Sequence, residues 1–215
     1  KALAAAHGVL LIFDEVSSGW RLRIGGAQEL VGVTPDMTVL AKAMSNGYPM
    51  GAVVGSRAAM APAARMFISS SYWSDNIGLA ASIATINELQ RRDSAARFEA
   101  LGEKLRSALN QAIAEAGLSG SCGGLFANPA LMLDLPDEAQ RPLVNTLFIQ
   151  EMAKRGIHCY TSFKATLAHT EDDIAHTAAV ATEALTIIKN GLETHTISDL
   201  LECDIKKEPF RRLVR

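Results

Sequence analysis

Asp14 and Lys42 are the first residues to examine for chemistry. Asp14 closes the apolar run Val9-Leu10-Leu11-Ile12-Phe13, and Lys42 follows a second short apolar stretch at residues 37–41. An unalternated run of that length suits a strand buried on both faces, as in a parallel sheet. Each residue then falls at a strand's carboxyl end, the edge at which open α/β sheets bind ligands. Alone, each has an ordinary reading: Asp14 as a turn or helix cap, Lys42 as a solvated surface cation. A carboxylate buried at such an edge is costly unless it meets a cation. A lysine held near a site can instead lose its proton and attack a carbonyl, forming a Schiff base. The pair says more than either member. An aspartate that keeps a pyridine nitrogen protonated and a lysine that holds an aldehyde are two main requirements of a pyridoxal phosphate site.

The elements that must position this pair alternate between helix and strand. Residues 1–7 suit a helix, and Gly8 suits its left-handed stop. A third apolar stretch, Ala52-Val53-Val54, lies between Gly51 and Gly55. Glycine-rich connections separate these runs, which predicts α/β architecture. Leu79, Ile83, Ile86 and Leu89 recur at helical spacing, and so do Phe98, Leu101, Leu105, Leu109 and Ile113 before Gly117. From Leu118 the texture changes. Leu131-Met132-Leu133-Asp134-Leu135 reads as a strand closed by Pro136, and residues 143–154 as a helix stopped by Gly156. Residues 157–160 are a short strand candidate. Thr170 and Asp173 resemble a capping box opening a helix striped by Ile174, Ala178, Ala181, Leu185, Ile188 and Leu192. Residues 193–215 have no evident packing partner.

The 215 residues are 48% hydrophobic and 20% charged, globular proportions that exclude wholesale disorder. A net charge of −2 supplies no global field for nucleic acid or anionic lipid. No apolar run approaches the roughly 18 residues that suggest a membrane span. Cys122, Cys159 and Cys203 are too few and too scattered for a disulfide scaffold or a CxxC zinc site, which fits a reducing cytoplasm. The histidines show no metal spacing, so no metal site is expected. The basic excess after Asp204 reads as a solvated end.

Longer motifs then carry a resemblance. Leu11-Ile12-Phe13-Asp14-Glu15-Val16, Ser18-Gly19-Trp20-Arg21, Gly25-Gly26-Ala27-Gln28, Gly32-Val33-Thr34-Pro35-Asp36-Met37 and the block from Ala41-Lys42-Ala43 to Met50-Gly51-Ala52 occur in order. Together they resemble the class III (fold type I) pyridoxal phosphate aminotransferases, in particular the glutamate-1-semialdehyde aminomutase-like branch. The likeness extends to about Leu192, more weakly through Leu167-Ala168-His169-Thr170-Glu171-Asp172-Asp173-Ile174. It implies an α/β fold: part of a large domain with a mostly parallel sheet at residues 1–117, a small α+β domain at 118–192, and a tail at 193–215. It also implies pyridoxal 5'-phosphate as cofactor. Asp14 would pair with the pyridinium nitrogen, Val16 would pack on a ring face, and Lys42 would form the internal aldimine and later move a proton. Ser71 would bind the cofactor phosphate across a homodimer interface. The expected reaction is amino transfer between a small-molecule amino donor and a carbonyl acceptor, with intramolecular aminomutase transfer as the alternative.

The chain also departs from the family pattern. Ser17 stands where some branches carry a glutamine near the cofactor's phenolic oxygen. Ser74-Asp75-Asn76 replaces the usual Gly-Asn-Pro after Ser71. The family's phosphate-cradling loop and ring-stacking aromatic belong to an upstream half not found before Lys1. The sequence therefore reads as the C-terminal portion of a longer enzyme, with a non-catalytic fragment as the rival. A nucleotide-binding α/β protein is disfavoured by the lack of a phosphate-loop motif.

Overall fold

The computed structural model describes residues 1–71 and 74–206, which divide into two compact units, Lys1–Glu99 and Ala100–Arg215. In the first unit an alanine-rich segment forms α1 (Ala2–Ala6) and stops before Gly8, whose φ of 64° is left-handed. The chain enters β1 (Ile12–Glu15) past Asp36, whose Oδ2 accepts from the Leu11 amide at 2.9 Å while Lys1 pairs with the same carboxylate. Then follow α2 (Ala27–Val31), β2 (Met37–Leu40), β3 (Ala52–Gly55), α3 (Arg57–Met60) and α4 (Asn76–Arg91). The Asp75 carboxylate caps α4 by accepting from the Ile77 amide at 2.9 Å.

The sheet order is β1-β2-β3. β1 and β2 run parallel, with Ile12 opposite Met37 and Glu15 opposite Leu40, whereas β3 returns antiparallel to β2. This sheet is therefore mixed. The expected burial of β1 on both faces is absent: Ile12 is 51% exposed, and Val9 and Leu10 precede the strand and are exposed too. No further strand flanks β1 or β3 among the described residues, so both edges stay open. The α4 stripe also departs from expectation. Leu79 and Ile83 are exposed, and the helix buries Gly78 and Ser82 instead.

Helix α5 (Ser94–Glu115) carries the boundary between the units. The first compact unit closes at Glu99, and Leu105, Leu109, Ala112 and Ile113 of the same helix belong to the second unit's core. That unit adds the antiparallel pair β4 (Gly120–Gly123) and β5 (Ala130–Leu133), then α6 (Arg141–Lys154) and α7 (Glu171–Glu193). Leu147, Phe148, Met152, Leu185 and Ile188 fill the core, and Phe148 meets Phe163 edge-on at 6.4 Å. Gly102 admits the following loop: a Cβ there would stand 1.9 Å from the Phe126 carbonyl oxygen. The Asn110 side chain pairs with both backbone groups of Cys122, extending the β4 ladder onto α5. The strand expected at 157–160 is displaced along the chain. Leu131 donates to the Thr161 carbonyl, and Ala130 bridges Ser162.

The Thr170 and Asp173 capping box at α7 is present in both halves. Residues after Glu193 do find a partner. A short 3-10 turn, Ile197–Leu200, buries Ile197, and the buried Gln150 side chain holds the segment from α6. Its Nε2 donates to the Leu200 carbonyl at 2.9 Å, and its Oε1 accepts from the Glu202 amide at 2.7 Å.

Candidate functional site

Parallel pairing puts Asp14 and Lys42 at one sheet edge. Asp14 lies opposite Val39, and Lys42 follows the end of β2 by two residues. Ala41 is extended, and Lys42 then turns sharply with a left-handed φ of 49°. That conformation is sterically costly for a residue with a Cβ, and such strain concentrates at functional sites. The Lys42 side chain is exposed, and its Nζ donates to Ser17 Oγ at 2.5 Å. Ser17 entered the sequence reading only as a departure; the fold makes it the direct partner of the lysine.

Asp14 is exposed, and its Oδ1 accepts from the Val16 amide at 3.1 Å, an Asx-type turn. The ordinary capping reading is thus realised through one oxygen. Val16 is half-buried beside it. Ser71 lies in a turn, exposed, with no hydrogen bond to Asp14, Val16 or Lys42 among the described residues. Tyr72 and Trp73, candidate pocket or interface residues by sequence, lie outside the described residues.

The turn after β1 is built around Glu15, which the sequence did not single out for a role. Its side chain is 2% exposed and both carboxylate oxygens accept from the Ala27 amide, at 2.9 and 2.8 Å. Ser18 Oγ also donates to it at 3.2 Å. Gly26 adopts a φ of 87° against this carboxylate, and a Cβ there would lie 2.4 Å from Glu15 Oε1. The Glu15 carboxylate thus fixes both ends of the segment carrying Ser17 and Arg21. On the other side, the fully buried Ser45 hydroxyl donates to the Tyr48 carbonyl at 2.5 Å and closes the loop after Lys42. Lys42, Arg21, Asn46 and Tyr48 line a shallow hollow of about 470 Å³.

The second unit has a hollow of about 490 Å³ lined by residues including His158, Cys159, Lys164 and His169, which brings in none of the predicted site residues. Burial pushes the Cys159 thiol up to about 11. Cys122 is pushed to the same value by burial against the opposing charge of Arg106. Both are poor nucleophiles at neutral pH. Among the described residues no histidine, cysteine and carboxylate cluster could hold a metal, and no helix is long and apolar enough to cross a membrane.

The family model for aminotransferase class-III matches residues 1–192. The chain is 31% identical over 199 residues to a 3-aminobutyryl-CoA aminotransferase of Cloacimonas acidaminovorans, covering 89% of this chain and 47% of that protein. It is 34% identical over 199 residues to a glutamate-1-semialdehyde 2,1-aminomutase of Desulforapulum autotrophicum, covering 86% and 46% respectively. Among solved structures, the PLP internal aldimine form of the FumI protein of Sphingopyxis sp. MTA144 matches with a TM-score of 0.81 at 23% identity, over 93% of this chain and 48% of that one. A transaminase with PLP bound matches with a TM-score of 0.80 at 26% identity, over 89% and 47%. The α/β fold is the one these transaminases share, as the resemblance implied. The chain spans about half the length of the relatives it matches.

Proposed function

The chain belongs to the class-III aminotransferase family, and from that premise we propose that it serves pyridoxal phosphate-dependent amino transfer, with Lys42 as the point of covalent attachment. The observation that carries this is the Lys42 amine itself, set by a left-handed turn at the same carboxyl edge as Asp14 and held by Ser17. The side chains present suit the cofactor. Asp14 Oδ2 has no hydrogen-bond donor among the described residues and can accept a pyridinium N–H. Val16 offers an apolar surface to a ring face, and the Ser71 hydroxyl is open to a phosphate oxygen. Pyridoxal phosphate supplies an aldehyde for an amine and an electron-withdrawing ring.

The residues then divide the work. The Asp14 carboxylate would keep a proton on the ring nitrogen. Lys42 Nζ would hold the cofactor through its aldehyde carbon, and the free Lys42 amine would serve as the base that moves a proton at the substrate's α carbon. Ser17 Oγ orients that amine. Substrates are a small-molecule amino donor and a carbonyl acceptor. Intramolecular transfer, the reaction named for the 34%-identical aminomutase relative, would use the same residues and differ in whether the donor's carbon skeleton leaves. A second copy of the chain is the proposed macromolecular partner, motivated by the apolar surface that the first unit exposes. A reducing cytoplasm suits the three free thiols.

The test uses the 215-residue chain with pyridoxal phosphate, borohydride fixation and peptide mass spectrometry. The label should concentrate at Lys42, and Lys42→Ala should remove it together with the imine absorbance. A label spread evenly over the surface lysines would defeat the proposal.

A further inference from the structure

The hollow in the second unit contains neither Lys42 nor Ser71, and local patterns build its walls. Ala130 of β5 bridges Ser162, and the Phe163 amide donates to the Pro129 carbonyl at 2.9 Å. The segment fixed in this way alternates as a strand does. Phe163 and Ala165 are buried, while Ser162, Lys164 and Thr166 line the hollow. From α7 come Asp173, His176 and Thr177, three and four residues apart on one helix face.

The groups left on this surface are mostly donors. Lys164 has no ion-pair or hydrogen-bond partner among the described residues. His169 Nδ1 accepts from the Thr166 amide at 3.2 Å, which leaves the proton of the neutral ring on Nε2. Thr166 Oγ1 accepts from the Ala168 amide at 3.3 Å and keeps its own hydrogen to give. The described lining includes one carboxylate, Asp173, whose Oδ2 accepts from the Thr170 amide and hydroxyl at 2.7 and 2.8 Å. The positive end of α7 offsets its charge. A further cation arrives from outside the segment that the family model matches. The tail held by Gln150 continues to Lys206, whose amide donates to Thr146 Oγ1 at 3.0 Å. The Lys206 ammonium lies 4.3 Å from the ring centroid of Tyr160, a lining residue.

We propose that this hollow binds a phosphate dianion, free or carried as a phosphomonoester, with Lys164 as its principal charge. Arginine is absent from the described lining, and the donors are single groups: an ammonium, hydroxyls and imidazoles. Point donors of this kind suit a tetrahedral oxyanion, whereas a planar carboxylate is matched by a guanidinium fork. The volume of about 490 Å³ exceeds the anion itself, so a small ester fits.

The chain's five histidines supply the test. His158, His169 and His176 line the hollow, and His7 and His195 do not. Their ring Cε1 proton resonances are followed by NMR in the full chain as inorganic phosphate or glycerol 3-phosphate is added at fixed pH and ionic strength. Each signal is assigned by its own histidine-to-glutamine variant. The three lining signals should move along one saturation curve while His7 and His195 stay still. Lys164→Gln should weaken the apparent affinity about tenfold with helix circular dichroism unchanged, and Lys164→Arg should keep most of it. Lys206→Gln should cost about threefold. Lys189→Gln, at a cation outside the hollow that pairs with Glu193, should change nothing. A tighter curve for glycerol 3-phosphate assigns the site to an ester, and equal curves assign it to the free anion. Still signals at all three lining histidines, or five histidines moving alike, would overturn the proposal. So would succinate binding as tightly as phosphate, or full affinity in Lys164→Gln.

Discussion

The two units dispose of their apolar side chains differently. In the second, Leu109, Leu147, Leu185 and Ile188 are fully buried in a core shared by two strands and three helices. In the first, Val9, Leu10, Ile12, Leu79 and Ile83 lie exposed, and the best-buried groups include polar ones, Glu15 and Ser45. The first unit nevertheless holds the candidate chemistry. Order there comes from carboxylate and hydroxyl contacts to backbone, not from a filled core. A strained lysine can be held by such contacts, because each polar partner fixes one atom's direction.

This contrast can be broken by paired substitutions. The largest effect is expected for Leu185→Ala in the second core, a loss of about 2–5 kcal/mol. Ile83→Ala, 64% exposed on α4, should stay within about 0.5 kcal/mol. Helix circular dichroism in urea reads both units. Tryptophan fluorescence follows the first unit through Trp20. Equal costs would show that the exposed stripe is covered in solution. Next comes Gly26→Ala, which forces a Cβ onto Glu15 and a left-handed backbone onto alanine. A loss of about 1–3 kcal/mol is expected, seen in Trp20 fluorescence and in slower pyridoxal phosphate labelling of Lys42. Unchanged labelling would detach the Glu15 turn from the site.

The smallest effect concerns acid stability. Hydrogen bonds from the Thr170 amide and hydroxyl hold the Asp173 carboxyl below the usual carboxylate range. A lowered folded pKa gives stabilisation that is complete above the unfolded value of about 3.9 and is lost as pH falls through the folded value. Asp173→Asn should therefore flatten the acid limb of helix content against pH and leave first-unit fluorescence unmoved. A matching shift in Trp20 emission would show that the two units do not respond separately.

How much was legible in the sequence follows the same division. Asp14 and Lys42 could be placed on one edge because apolar runs mark strand ends without tertiary knowledge. The α7 capping box was legible because it is local. The burial of β1 and α4 was misjudged, since an apolar pattern states what a surface prefers and not whether a partner is present. Ser17 was hidden because its role depends on the turn after β1 and on the left-handed backbone at Lys42. Glu15 gave a signal that could have been used: an acidic residue ending an apolar strand, followed by a Gly-Gly pair that leaves room for it.

The Gln150 contacts bear on where this polypeptide can be cut. The family model's match ends at residue 192, yet the carboxamide on α6 satisfies its polar atoms with backbone from residues 200 and 202. A chain trimmed to the homologous boundary would keep every recognisable motif and leave that buried amide unmatched, at a cost of about 1–3 kcal/mol. The family match and the packing draw different borders here, and proteolysis should respect the second.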